Sequence, residues 1–501
     1  MKRLAPAIAA ITSAVLLAPA AIPAAADPAS GSSGSSASSG SSRGTAPWFG
    51  DLSSAFARTL SSAAVSGSST GGSSASDSSS LGSSASSHSS GSGVGRAGTL
   101  TTNQPLPTEP GKMIARQRVG ASHNERILYT STNERGQIVP VSGAIYPARG
   151  TKASSTSANG TDASGTSANG TDASGTSANG TNTNGTNQSG DHENPPRKGT
   201  VVLAPGTRGM GDQCAPSAAK GMLVRVEGSS ANVNYEAPIA QRLADEGYQV
   251  VVTDYIGLGT PGVHTYLNRI DQGHAVIDAA RAAANPGEKV FFYGYSQGGG
   301  ATAAAGELQP EYAPELNLVG VFAGAPPANP ETMLTQGNPA TLEPVTAMVI
   351  ASYAYSYPEF RAAIGEHTSA RADRYLAAVA AGCLAEAAGS SVPVDKLVPD
   401  APSLSELALS DDRILRPLRL NRLGTVPVRA PILIAQSPQD NVVPYDQGKQ
   451  LADDYLALGS PVTFLSIPLS DASSRAGLGH VAPAITYSGE VIRWMNDRFA
   501  E

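Results

Sequence analysis

Apolar and polar positions follow two rhythms along this chain, separated by long stretches that have neither. Short continuous runs of Val, Ile, Leu and Phe recur over residues 200–204, 248–253, 289–293, 316–322, 431–435 and 462–467. Runs of this kind, bounded by turn residues, predict strands buried on both faces. Between them, helical spacing predicts helices over 237–246, 272–284, 299–308, 446–456 and 486–499. Ahead of these, residues 126–132 and 138–146 flank Asn133-Glu134-Arg135-Gly136, which has the turn residues of a hairpin, so the sheet is expected to begin antiparallel. The alternation that follows predicts an α/β fold, a mostly parallel central sheet with helices on both faces.

One interval breaks the alternation. Residues 330–425 contain no strand-like run, and 345–357, 358–364 and 370–388 read as helices. An insertion of this size after a strand is expected to form a helical cap over the carboxyl edge of the sheet. Its apolar residues, among them Met348, Tyr353, Phe360 and Leu376, either line a pocket or form the cap's own core. The expected organisation is a core over 99–329, the cap over 330–425, and a second core segment over 426–501.

The remaining stretches change the picture in other ways. Met1-Lys2-Arg3, an apolar run and Ala24-Ala25-Ala26 read as a secretory signal over residues 1–26. Pro6, Pro19 and Pro23 interrupt the run, which argues against a retained anchor and for release outside the cell with no stable transmembrane segment. Residues 27–98, dominated by Ser, Gly and Ala, have too few apolar side chains to offset the entropy of ordering and read as a disordered leader. Within it, Trp48, Phe49, Leu52, Phe56 and Leu60 have near-helical spacing, either a docking helix or an apolar patch in a linker. Residues 151–197 hold a polar decapeptide repeat, starting at Thr156 and again at Thr166, and read as an expanded surface loop. The formal charge of −7 comes without any block of Lys or Arg, which excludes a phosphate-backbone partner. Only Cys214 and Cys383 are present; an exported chain favours their pairing, with two buried thiols as the alternative.

Candidate chemistry centres on Gly294-Tyr295-Ser296-Gln297-Gly298, which follows an apolar strand and opens a small-residue helix. Glycines on both sides let the turn tighten so that the serine stands above the sheet as a nucleophile. Gly40-Ser41-Ser42-Arg43-Gly44 matches the same template but follows no strand. A serine hydroxyl needs a base, and the base needs a carboxylate to hold its tautomer. Of seven histidines, His480 alone follows the last strand, in a Gly477-Leu478-Gly479-His480 loop ahead of the final helix. Asp440 lies just past the strand at 431–435 and is the expected acid, while Asp446 reads as the N-cap of the next helix. The order Ser, Asp, His is that of α/β-hydrolases. Oxyanion donors are expected from the backbone N–H of Gln297 and from the loop after 200–204, with Thr207 first and Asp212 second.

These residues resemble the secretory lipase family, typified by yeast lipase A and with many actinobacterial members. The resemblance covers about residues 105–501. It rests on the Gly206-Thr207 loop running into Asp212-Gln213-Cys214-Ala215-Pro216-Ser217, on Asp254-Tyr255 followed by Gly257-Leu258-Gly259, on Gly294-Tyr295-Ser296-Gln297-Gly298-Gly299, on the helical insertion, and on Asp440 and His480. It implies an α/β-hydrolase fold with a helical cap, a Cys214–Cys383 link between oxyanion loop and cap, and serine esterase or lipase activity on acylglycerols or other esters through an acyl-enzyme on Ser296. No metal or organic cofactor is implied. The rival expectations are a serine peptidase or acyltransferase on the same fold, and a non-catalytic surface-binding protein.

Overall fold

A computed structural model describes residues 92–94, 100–120, 124–149, 197–219, 224–227, 230–335, 342–389, 392–470 and 477–501. The expected signal segment, most of the leader with its Trp48 island, and the repeat loop lie outside the described residues. The leader was expected to lack structure as far as residue 98, but Ser92–Val94 pairs antiparallel with Leu100–Thr102. Burial of Leu100 accompanies that pairing.

The central sheet has nine strands: β1 (Met113–Arg118), β2 (Glu125–Thr132), β3 (Ile138–Tyr146), β4 (Thr200–Ala204), β5 (Gln249–Thr253), β6 (Lys289–Tyr295), β7 (Asn317–Gly324), β8 (Ile432–Gln436) and β9 (Val462–Ser466). Their spatial order is β9-β8-β7-β6-β4-β5-β3-β2-β1. The strands from β4 to β9 run parallel, and β1 to β3 join antiparallel, with β3 against β5. The hairpin at 133–136 closes as its residues predict, with Gly136 at φ +75° and its N–H on the Asn133 carbonyl.

Period-two alternation sends the side chains of each strand to two layers. Val202 and Ala204 pack with α2 (Arg269–Ala283), α3 (Gln297–Tyr312) and α11 (Tyr445–Ala457) on one face. Val201 and Leu203 pack with α1 (Ala237–Asp245) and α13 (Ser488–Ala500) on the other.

Between β7 and β8 the chain forms α4 (Pro330–Thr335), α5 (Glu343–Ser356), α6 (Pro358–Gly365), α7 (Ala370–Ala381), α8 (Leu384–Gly389), α9 (Leu404–Ser410) and α10 (Asp412–Leu420). These helices bury a core of their own, in which Met348, Tyr353, Phe360 and Leu376 are all enclosed. The single helix expected over 370–388 is two. It breaks at Gly382, whose carbonyl accepts the N–H groups of Met210 and Gly211 from the loop after β4. Asp446 is also not an N-cap: α11 starts one residue earlier, capped at Pro444, and Asp446 lies in its first turn.

Candidate active site

Parallel α/β sheets collect side chains at the carboxyl ends of their strands. The residues singled out from the sequence come together at that edge. Ser296 occupies the bend between β6 and α3 with φ +59° and ψ −124°, in the positive-φ region that side chains other than glycine rarely adopt. A Cβ on Gly294 would fall 2.1 Å from the Gly298 carbonyl oxygen, and one on Gly298 2.0 Å from that of Ala204. The bend therefore closes only with glycine at both positions. The Ser296 N–H is fixed to the Gly324 carbonyl at 2.8 Å.

His480 Nε2 lies 2.8 Å from Ser296 Oγ, and His480 Nδ1 lies 2.8 Å from Asp440 Oδ2. The histidine is not in a loop but in the first turn of α12 (Leu478–Thr486), entered through left-handed Gly477 at φ +77°. Its carbonyl accepts the Tyr295 hydroxyl at 2.7 Å. Asp440 follows β8 and is fully occupied. Oδ1 accepts the Val442 and Val443 N–H groups, each at 2.9 Å, and Oδ2 accepts Gln436 Nε2 at 3.0 Å besides the imidazole. An ionised carboxylate on Nδ1–H leaves the Nε2 lone pair for the serine hydroxyl.

The amide N–H groups of Gln297 and Thr207 have no hydrogen-bond partner among the described residues. Thr207 is held from several sides. Glu236 accepts the Gly206 N–H at 2.7 Å and pairs with the Arg208 guanidinium. That guanidinium lies 4.2 Å over the Tyr235 ring, and the Tyr235 hydroxyl donates to the Thr207 carbonyl at 3.1 Å. Burial raises the Glu236 carboxyl and Arg208 opposes it, so the ion pair is a buried one. Asp212 is used otherwise: its carboxylate accepts the Gly259 N–H at 2.9 Å, and burial pushes it up to about 6.

Four groups escaped the sequence reading. Gln436 shares Oδ2 of Asp440 with the imidazole. Glu236 anchors the loop after β4. Tyr266 meets the Thr207 hydroxyl at 2.8 Å. His264, wholly buried, lies 2.9 Å from Gln297 Nε2 through its Nε2 and 3.2 Å from the Ile256 carbonyl through its Nδ1. Burial lowers His264 to about 4, so the ring is neutral, donating from Nδ1 and accepting at Nε2. The signal for His264 and Tyr266 was positional, since both follow the carboxyl end of β5 on the edge that carries Ser296.

The expected cysteine pair is joined. Cys214 and Cys383 form a disulfide with Cα atoms 5.5 Å apart, beside an antiparallel bridge between Gly209 and Cys383.

A nine-stranded, mostly parallel sheet with a serine at the β6 bend, an aspartate after β8 and a histidine in the helix turn that follows β9 defines an α/β-hydrolase. The chain belongs to the secretory lipase family, whose sequence profile matches residues 222–501. It is 29% identical over 306 residues to a probable inactive lipase of Mycobacterium tuberculosis, a match covering 58% of this chain and 64% of that protein. It is 28% identical over 299 residues to a secreted triacylglycerol lipase of Malassezia furfur, covering 57% and 61% respectively. The chain thus spans somewhat over six-tenths of the length of these relatives. Among solved structures, Candida antarctica lipase A in its closed state aligns with a TM-score of 0.56 at 17% identity, covering 78% of this chain and 83% of that one. A rice cell wall degrading esterase from Xanthomonas oryzae aligns with a TM-score of 0.53 at 17% identity, covering 77% and 99%. These two likenesses establish the α/β-hydrolase fold.

Proposed function

We propose that this protein is an exported serine carboxylic ester hydrolase acting as a triacylglycerol lipase. One observation carries the reading: an unbroken hydrogen-bonded run from Asp440 through His480 to Ser296 Oγ, with the Gln297 and Thr207 amides left without partners among the described residues. In this mechanism Ser296 Oγ attacks the ester carbonyl while His480 Nε2 takes its proton. The N–H groups of Gln297 and Thr207 stabilise the tetrahedral oxyanion, a contribution of about 3 to 4 kcal/mol for each donor. His480 then protonates the departing alcohol, leaving an acyl group on Ser296, and a water activated by the same imidazole releases the acid. Membership of the secretory lipase family and a secreted triacylglycerol lipase among the relatives support the substrate class. The signal-like residues 1–26 support export.

The probable inactive lipase among the relatives favours a second reading, a lipase-fold protein without turnover. Hydrolysis of p-nitrophenyl esters of two to eighteen carbons and of an emulsified triglyceride, by the protein and by Ser296→Ala, separates the two. Turnover of long chains and emulsion that vanishes in Ser296→Ala is expected. Activity on short chains alone would make the protein an esterase. No turnover of any ester, together with no labelling by a fluorophosphonate, would establish the inactive reading.

A further inference from the structure

Thr207 and Tyr266 are both buried and share one hydrogen bond, 2.8 Å between Oγ1 and the phenol oxygen. Two hydroxyl groups bring two hydrogens to this contact, and one hydrogen bond uses only one of them. Neither oxygen has another partner among the described residues. A phenol is the stronger donor and an aliphatic hydroxyl the stronger acceptor, so the Tyr266 O–H donates and Thr207 Oγ1 accepts. The Thr207 hydroxyl hydrogen is left over in a buried place, where an unmet donor costs about 1 to 3 kcal/mol. Gly206, the preceding residue, lies against the chain at the serine bend: a Cβ there would stand 3.3 Å from the Tyr295 carbonyl oxygen. The Gly206-Thr207 turn therefore packs against the backbone that leads into Ser296.

We propose that Thr207 supplies a third oxyanion donor, its side-chain hydroxyl, in addition to its backbone N–H, and that Tyr266 is the positioning residue that turns this hydroxyl toward the substrate. The proposal rests on the ester-hydrolase reading above. Tyr266 is itself fixed. It meets the buried His264 ring edge-on at a centroid distance of 6.0 Å, and His264 in turn holds the Gln297 side chain. The loop after β5 thereby supports both arms of the oxyanion site. Burial pushes the Tyr266 phenol up to about 12, so it keeps its hydrogen throughout the working range of an esterase.

The test compares Thr207→Val, which keeps the shape and the backbone N–H, with Thr207→Ser, which restores the hydroxyl, and with Tyr266→Phe. Each is assayed for kcat and KM on a p-nitrophenyl ester, and for the affinity of an alkyl trifluoromethyl ketone, whose adduct with Ser296 carries the oxyanion. For Thr207→Val, kcat is expected to fall by about 10²-fold with KM within about twofold, and ketone affinity to fall in parallel. Thr207→Ser should recover most of that loss. Tyr266→Phe should lose about tenfold in kcat, less than Thr207→Val, because the hydroxyl remains but is no longer oriented. Thr207→Val with kcat and ketone affinity within about threefold of the parent, while Ser296→Ala is inert, would overturn the third donor and leave the hydrolase reading intact. An equal loss in Thr207→Val and Thr207→Ser would overturn it too, since packing and not the hydroxyl would then be responsible. A parent protein with no ester turnover would end both.

Discussion

At the scale of single residues, Asp440 has no freedom to change its chemistry. Two backbone N–H groups occupy Oδ1, and the His480 Nδ1–H and Gln436 Nε2–H occupy Oδ2. An asparagine here must keep its oxygen toward Val442 and Val443 and turn its NH2 toward His480. The imidazole then accepts at Nδ1, carries its proton on Nε2, and no longer takes the serine proton. Asp440→Asn is expected to keep KM within a fewfold and to lower kcat by about 10⁴-fold, as measured by steady-state ester hydrolysis. A loss below about tenfold would show that the tautomer is not set by Asp440. The three residues of the hydrogen-bonded run, Ser296, His480 and Asp440, were legible because each has a position relative to a strand end, which an apolar run reveals. Gln436, four residues before Asp440, was not because it reads as the last residue of a buried strand; Glu236, His264 and Tyr266 were not because they act through partners distant in sequence: Glu236 reaches back 30 residues to Gly206 and Tyr266 reaches back 59 to Thr207. Nothing local in the chain marks such a pairing.

Among the elements, the loop after β4 and the helical insertion behave as one unit. The Arg208 carbonyl accepts the Leu384 N–H at 2.8 Å, the Gly382 carbonyl accepts the N–H groups of Met210 and Gly211, and Gln213 Nε2 donates to the Ala381 carbonyl at 2.8 Å. The disulfide closes a loop spanning 169 residues across the same seam. In the chain-entropy account, replacing both cysteines by serine should lower unfolding stability by about 5 kcal/mol, read from urea denaturation of the two proteins. A loss under about 1 kcal/mol would mean that the backbone bridge alone maintains the seam. This seam also explains an element that was misread: helical spacing continues through residues 370–388, but the tertiary bonds to Gly382 interrupt it. Helices α9 and α10 went unseen for a different reason. Pro417 stands inside α10, and proline normally ends a helical reading. Their starts were written locally, with the Ser403 and Asp411 side chains capping N–H groups at Glu406 and Arg413. Edge strand β1 has three exposed residues out of six and no alternation to betray it, whereas the double-sided burial of β4, β5 and β8 made them plain.

For the whole molecule, buried carboxylates fasten the parts that parallel pairing does not reach. Asp254 accepts the hydroxyls of Ser142 and Ser217, and Asp212 holds Gly259. Asp271 holds the Glu134 N–H at the hairpin tip, and Asp278 accepts Ser131 and Tyr312. Burial raises all four from 3.8 to about 6. His264 and His274 are lowered by burial from 6.5 to about 4. The signs oppose one another. Between pH 6 and 4.5 the native state holds protons on four carboxyls that an unfolded chain has released, and that uptake favours folding as pH falls. The unfolded chain holds protons on two imidazoles that the native state leaves bare, and that favours unfolding. Glu236 and Glu307, also raised by burial, add to the first group. The ion-paired Glu315 and Glu366 are held below their ordinary 4.5, so their stabilisation starts to be lost only under that pH. Carboxyls outnumber imidazoles in this window. The midpoint of thermal unfolding is therefore expected to stay nearly level from pH 7 to 6, where proton uptake by the four native carboxyls and by the two unfolded imidazoles offset each other, and then to rise from pH 6 to 5. Scanning calorimetry at pH 7, 6 and 5, with potentiometric counting of protons bound on unfolding at pH 5.5, checks both. A steady fall in Tm from 7 to 5 with net proton uptake on unfolding would mean that the buried carboxyls stay ionised and that their hydroxyl and amide donors outweigh desolvation. Net proton release on unfolding would establish that the protein carries its fastenings in neutral form and holds its fold best under mildly acid conditions.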